Sequence, residues 1–363
     1  MAFTKMNRLH WHITDAQSWP LVIPTLPELS DAGAYAPGLV YSPGDLADVL
    51  QYGKTLGVET AIEIDMPGHT SSIWFSHPEL ITAFNTQPYE TNCAEPPCGS
   101  LKLNSTEVYS FLDTMLDDLL PRVGQYSPYF HSGGDEVNVN AYLLDETVQS
   151  NDTAVLQPLM QRFIDHVHGK IREYGLTPLV WEEMLLTWNL SMGHDVLVNC
   201  WLSDESVVET VEKGHKAIVG NYNNWYLDCG QGQWLNAYRN VSDQYYPWND
   251  YCSPRKSWRL VYSLDPLNEI PENSTHLVVG GEVHLWAEQI DPVNFDKQAW
   301  PRAAAAAEVL WSGAKDPVTG QNRSQIDAAP RLSEFRERLV ARGVMAEPIQ
   351  MPFCTQNGTQ CYL

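Results

Sequence analysis

Short β-branched or aromatic runs alternate with longer amphipathic ones along most of the 363 residues. Few folds accept that alternation, because a strand-length run followed by a helix-length stripe is a βα unit, and repeated βα units build a parallel sheet. Strands are expected at Asn7 to Thr14, Val58 to Asp65, Tyr129 to His131, Leu179 to Trp181, Val196 to Trp201, Ala217 to Tyr222 and Leu277 to Glu282. Between them, Ser42, Pro43 and Asp45 form a helix-start signature, followed by Leu46, Val49, Leu50 and Gly53 at helical spacing. Val108, Phe111, Leu112, Met115 and Leu119 make a second stripe, and Leu156, Leu159, Phe163, Val167 and Ile171 a third. Such stripes face a core rather than a cofactor. The expected class is α/β, a TIM-type (β/α)8 barrel. Seven strands are visible where that barrel takes eight, so the first βα unit is expected to be missing from this chain. The barrel should occupy 1–345 and a disulfide-bearing tail 346–363.

Composition narrows the function classes. A hydrophobic content of 44% supports a large core. The net charge of −23, with no local Lys/Arg cluster to offset it, disfavours nucleic acid and anionic membranes as partners. No apolar run is long enough to span a bilayer, and the residues from Met1 onward are expected to be domain interior rather than a signal peptide. Sequons at Asn104, Asn151, Asn189, Asn240, Asn273, Asn322 and Asn357 nevertheless suit a secretory history, as does cysteine spacing. Cys93/Cys98, Cys229/Cys252 and Cys354/Cys361 sit in loop-like stretches and are expected as three local disulfides, with Cys200 a buried thiol.

Candidate chemistry gathers where strands end. The clusters are HITD to Asp15, EIDMPGH to His69, HSGGDE to Glu136, VWEE to Glu183, NCW to Trp201, NWYLD to Asp228 and GGEVHLWAE to Glu288. In a TIM-type barrel such ends converge on one mouth. Acidic and aromatic groups without a GxxxxGK[ST] phosphate loop favour a neutral polar substrate, and a sugar fits well. His10 and His12 share one strand face, so a metal is conceivable, yet no further ligand has a matching local spacing; no metal and no cofactor are expected. Asp135 and Glu136 pose a puzzle. Two-carboxylate glycosidases hold their acids roughly 5 to 9.5 Å apart across a sugar, whereas adjacent α-carbons are about 3.8 Å apart. These two can meet a substrate from one wall but hardly clasp it. Like charges this close also push one pKa upward.

Together HSGGDE, HWHITDAQSWP, DMPGH, VWEE, GGEVHLWAE and PRAAAAAEVLWS resemble the retaining β-N-acetylhexosaminidases of glycoside hydrolase family 20, most like the secreted fungal branch. The resemblance implies substrate-assisted catalysis, in which the sugar's 2-acetamido oxygen attacks the anomeric carbon to give an oxazolinium-type intermediate. It implies that Glu136 is the acid and then the base. Asp135 would orient the acetamide nitrogen, with Tyr226 on the acetamide oxygen. His69, oriented by Asp15, would support Glu136. Trp181, Trp201 and Trp286 would wall the pocket, and Asp228 and Glu288 would bond sugar hydroxyls. Glu182 and Glu183 receive no role. Expected partners are N-acetylhexosamine-terminated oligosaccharides such as chitin fragments, with a homodimer compatible and a secreted, vacuolar or lysosomal setting for the full-length form. Family members carry an arginine on the first barrel strand, and Arg8 does not match it, which again leads to the expectation of an N-terminally incomplete chain. The rival readings are an inactive fragment, a noncatalytic sugar-binding protein, and a conventional glycosidase pairing Glu136 with Glu288.

Overall fold

The computed structural model describes residues 1–236, 242–356 and 361, so Asn240 and Asn357 lie outside the described residues. The chain forms two compact units. The first, Met1–Asn199 with Glu212–Lys216, holds β1 (Arg8–Thr14), β2 (Glu59–Ile64), β3 (Ile81–Thr82), β4 (Ser100–Leu101), β5 (Tyr129–His131), β6 (Thr177–Trp181) and nearly all of β7 (Leu197–Cys200). Here β1 pairs with β2, β2 with β5, β5 with β6 and β6 with β7, every pair parallel. The strands run through the core. Phe130, Ile62, Val180 and Val198 are fully buried, and each such side chain contributes about 1.5–3 kcal/mol by leaving water.

The crossover helices match their sequence signals. Helix Pro43–Thr55 begins with a capping box in which the Asp45 amide donates to Ser42 Oγ at 3.2 Å and the Ser42 amide to Asp45 Oδ2 at 2.8 Å. Helix Thr106–Val123 buries every member of its expected stripe. In Thr153–Glu173 the inward position falls to Met160 rather than Leu159, since the stripe drifts around the helix by a residue. The antiparallel pair β3–β4 was not expected. Its strands are two residues each, too short for a periodic signal, and they bracket the loop closed by Cys93–Cys98.

The second unit, Cys200–Val211 with Ala217–Leu363, holds all but the first residue of β8 (Lys216–Val219) and all of β9 (Val278–Gly281), a parallel pair with Ala217 opposite Val278. Asn221 ends the first of these earlier than expected by capping helix Tyr222–Trp225, its side chain accepting from the Asn223 amide. Helix Arg302–Ser312 buries Ala303 to Ala307. Arg302, 2% exposed, donates to the carbonyls of Leu227 and Lys256 at 2.7 and 3.0 Å, which ties both of those loop segments to this helix.

All seven expected strands form, most ending a residue or more before their polar C-terminal tips. Cys93–Cys98, Cys229–Cys252 and Cys354–Cys361 are disulfides, while Cys200 is buried with Sγ 3.4 Å from Thr210 Oγ1. Asn104, Asn151, Asn189, Asn273 and Asn322 are exposed, as a glycan acceptor must be. Among the described residues no helix is long and apolar enough to cross a membrane.

Candidate active site

The tips of β1, β2 and β5 in the first unit bring four expected residues together. Strand β1 carries a register irregularity between His12 and Thr14. Plain alternation would turn Asp15 away from His12, but the irregularity lets both face one way, and His12 Nε2 lies 2.8 Å from Asp15 Oδ2. His69 follows β2 with φ of 51°, its Nδ1 2.9 Å from Asp15 Oδ1 and its Nε2 3.3 Å from Glu136 Oε2. Glu136 follows β5, also left-handed at φ 53°. Two non-glycine residues in this region mark stored strain of the kind found at functional sites. Asp135 Oδ2 is 4.0 Å from His69 Nε2.

The first glycine of HSGGDE is explained by Asp65, which has no role assigned above, and the second, at φ of 110°, by Met184, whose Cγ would lie 2.5 Å from a Cβ there. Gly133 has φ of 70°, and a Cβ there would fall 1.8 Å from Asp65 Oδ1. The Gly134 amide donates to that same oxygen at 2.8 Å. Gly133→Ala is therefore expected to destabilise the fold by on the order of 4 kcal/mol, measured by urea unfolding, and to abolish any activity. A variant as stable as the parent would contradict this account.

Electrostatics divide the carboxylates. Burial works against the Asp15 charge, but the His69 cation and hydrogen bonds from both histidines hold its carboxyl below the usual range. Burial likewise opposes charge on His69, and Asp15, Asp65 and Asp135 outweigh it, so the imidazole is held protonated well above its ordinary value. Asp135 moves the other way. Burial and then the Asp65 carboxylate raise it strongly. Oxygens of Asp65 and Asp135 and a nitrogen of His69 lie within 4.8 Å of one another, and burial raises the Asp65 carboxyl as well. The upward push expected between sequence neighbours thus comes to Asp135 from burial and Asp65.

Behind this group Glu63 is fully buried. Trp181 Nε1 donates to its Oε1 at 2.8 Å, and His131 Nδ1 lies 3.0 Å from that oxygen. Trp181 is itself 1% exposed. His10 and His12, weighed above as metal ligands, both face Glu63 Oε2, at 2.9 and 2.7 Å. His10, Glu63 and His131 do bring ligand-type atoms within 4.8 Å of one another, but the histidines spend those atoms on Glu63. This network was invisible in the sequence because its members come from different strands.

The second unit assembles another group. The Leu227 amide donates to the His284 carbonyl at 2.8 Å and the His284 amide to the Trp225 carbonyl at 2.9 Å, which sets Tyr226 beside the segment leading to Trp286. The Tyr226 ring lies 6.1 Å from Trp201, 6.4 Å from Trp286 and 4.4 Å from His284. Burial pushes Asp228 up to about 7 against the amides of its own residue and Trp286, with smaller upward contributions from Glu288 and Asp250. Glu288 is exposed. Tyr226, Trp201, Trp286 and Asp228 are thus grouped, with Glu288 near enough to be felt by Asp228. His284 joins them, and its position within GGEVHLWAE was the available signal.

An acid in reach of a charged His–Asp pair, with a buried carboxyl of raised pKa beside it, is equipped for proton transfer to and from a bound polar substrate. Residues 1–314 match the family model described as Glycosyl hydrolase family 20, catalytic domain, and the chain belongs to that family. Its catalytic domain is a TIM-type barrel, in agreement with the α/β architecture. The chain is 44% identical to a "Beta-hexosaminidase" of Arthroderma benhamiae over its whole length, covering 61% of that protein. It is 33% identical to a "Chitooligosaccharidolytic beta-N-acetylglucosaminidase" of Ostrinia furnacalis, covering all of this chain and 60% of that one. It thus spans about 60% of the length of these relatives. Among solved structures, the exo beta-N-acetylglucosaminidase from Vibrio harveyi superposes with a TM-score of 0.77 at 24% identity, over 96% of this chain and 55% of that one.

Proposed function

We propose that the protein is a retaining exo-β-N-acetylhexosaminidase that removes terminal N-acetylglucosamine or N-acetylgalactosamine by substrate assistance, with chitin oligomers and glycans as substrates. The observation that supports this best is the linked set Asp15, His69 and Glu136, with the Asp135–Asp65 pair beside it. Glu136 protonates the leaving oxygen and later takes a proton from water, while His69, held charged by Asp15, fixes its carboxyl. Asp135 receives the acetamide N–H as positive charge builds on the oxazolinium. Tyr226 holds the acetamide oxygen, Asp228 and Glu288 bond ring hydroxyls, and Trp181, Trp201 and Trp286 shape the acetamide pocket. No second carboxylate has to lie across the sugar, which resolves the puzzle of two adjacent acids. The names of the relatives support the substrate class, and the exposed sequons and disulfides support a secreted or vacuolar setting.

The test compares a 4-nitrophenyl N-acetyl-β-glucosaminide with the β-glucoside. An intramolecular nucleophile should favour the N-acetyl sugar by roughly 10³-fold or more in kcat/KM. Equal cleavage of both would remove substrate assistance in favour of the two-carboxylate mechanism. Binding of N-acetylglucosamine without turnover would make the protein a sugar-binding module.

A further inference from the structure

The roles assigned so far leave His12 and Glu63 without a function. Glu63 lies on β2, and both its oxygens are engaged: Oε1 faces Trp181 Nε1 and His131 Nδ1, while Oε2 faces His10 Nε2 and His12 Nδ1. Of the three besides His12, His131 Nδ1 also accepts from the Gly133 amide at 3.0 Å. His12 differs, because its other nitrogen reaches out of the core. The distances run 2.7 Å from Glu63 Oε2 to His12 Nδ1, then 2.8 Å from His12 Nε2 to Asp15 Oδ2. They continue 2.9 Å from Asp15 Oδ1 to His69 Nδ1 and 3.3 Å from His69 Nε2 to Glu136 Oε2. With a carboxylate oxygen at each nitrogen, His12 can donate at both ends as the imidazolium.

We propose that His12, anchored by Glu63, is a positioning residue for the acid: it holds the Asp15 carboxylate so that one oxygen faces His69, and thereby keeps His69 aimed at Glu136. The physical need is clear. Asp15 stands at the end of a strand with its side chain 23% exposed, and the terminal torsion of an aspartate is broad. Oδ1 meets His69 and accepts from the Ala16 amide, while Oδ2 meets His12, so losing His12 leaves one oxygen unheld and loosens the carboxylate that aims His69. Small misplacements of a catalytic group cost about 10²-fold. The charge pattern agrees: burial opposes it, but Glu63 and Asp15 keep His12 protonated well above its ordinary value.

This inference rests on the proposed acid role of Glu136, and the experiment separates the two. In the full chain, kcat/KM is measured for N-acetyl-β-glucosaminides bearing a good leaving group (2,4-dinitrophenol) and a poor one (4-methylphenol). Only the poor one needs protonation as it departs. An asparagine amide matches the reach of His12 Nδ1 and a glutamine amide that of Nε2, so His12→Asn keeps Glu63 and loses Asp15, and His12→Gln does the reverse. His12→Asn should lose about 10²-fold on the 4-methylphenyl substrate and under about tenfold on the dinitrophenyl one, with His12→Gln recovering most of the loss. Equal losses on both substrates, or His12→Asn outperforming His12→Gln, would overturn the proposal, since a purely structural role is blind to the leaving group. Glu63→Gln weakens the same anchor as His12→Gln, so it should show a leaving-group bias of the same direction and smaller size, and it reports on the link if His12→Asn does not fold. Glu136→Gln is the reference: if it lacks that bias, the acid assignment fails; if it shows the bias and the His12 and Glu63 variants do not, only the positioning role fails.

Discussion

Glu136→Gln is expected to lower kcat/KM toward a 4-nitrophenyl N-acetyl-β-glucosaminide by roughly 10²–10⁴-fold, the usual worth of a general acid and base. Folding should be nearly unaffected. The glutamate side chain is 32% exposed and its contact at His69 Nε2 can pass to the amide oxygen, so the exchange removes a transferable proton while keeping shape. Normal turnover by this variant would sink the assignment. Glu288→Gln sharpens the reading. If Glu288 only bonds a sugar hydroxyl, its loss raises KM more than it lowers kcat, the signature of uniform binding. If the enzyme were a two-carboxylate glycosidase with Glu288 as nucleophile, that variant would be as inactive as Glu136→Gln. Parallel kinetics on the two variants distinguish these outcomes, with thermal melting run on the same samples.

What could be read from the chain alone follows the range of the interactions involved. Strand positions depend on local alternation, so all seven were readable, whereas two-residue strands such as β3 and β4 leave no period to detect. Cap and stripe signals are also local, and Ser42, Pro43 and Asp45 behave as written. The site is different. HSGGDE displays the acid and its neighbour, but the reason for its first glycine is Asp65, 68 residues before Gly133 in the chain, and for its second Met184, both in contact only after folding. His10 and His12 were readable as sharing a face, not as facing Glu63, because a strand pattern shows direction and never the partner on the next strand. The irregularity after His12, which turns Asp15 into line, has no sequence signature of its own.

Asp135→Asn should cut kcat/KM for N-acetyl substrates by roughly 10²–10³-fold, because a neutral amide cannot stabilise the positive charge that grows on the acetamide nitrogen. The same substitution should stabilise the folded protein at neutral pH. Burial and Asp65 raise the Asp135 carboxyl well above its ordinary value, so the native state retains a proton that the unfolded chain releases near pH 3.9. Between that pH and the raised native value the native state binds more protons, so the parent loses stability as pH rises through this window. Asparagine carries no such proton and no charge to repel Asp65. The stability difference in favour of Asp135→Asn should therefore be small in acid and grow as pH rises through that window, read by urea unfolding at a series of pH values. A variant that loses activity and is also less stable across the range would mean that Asp135 is a structural partner of Asp65 first. A variant that is more stable yet slow would mean that the buried charge is tolerated for the oxazolinium step, a trade of stability for function of the kind expected at strained, desolvated sites.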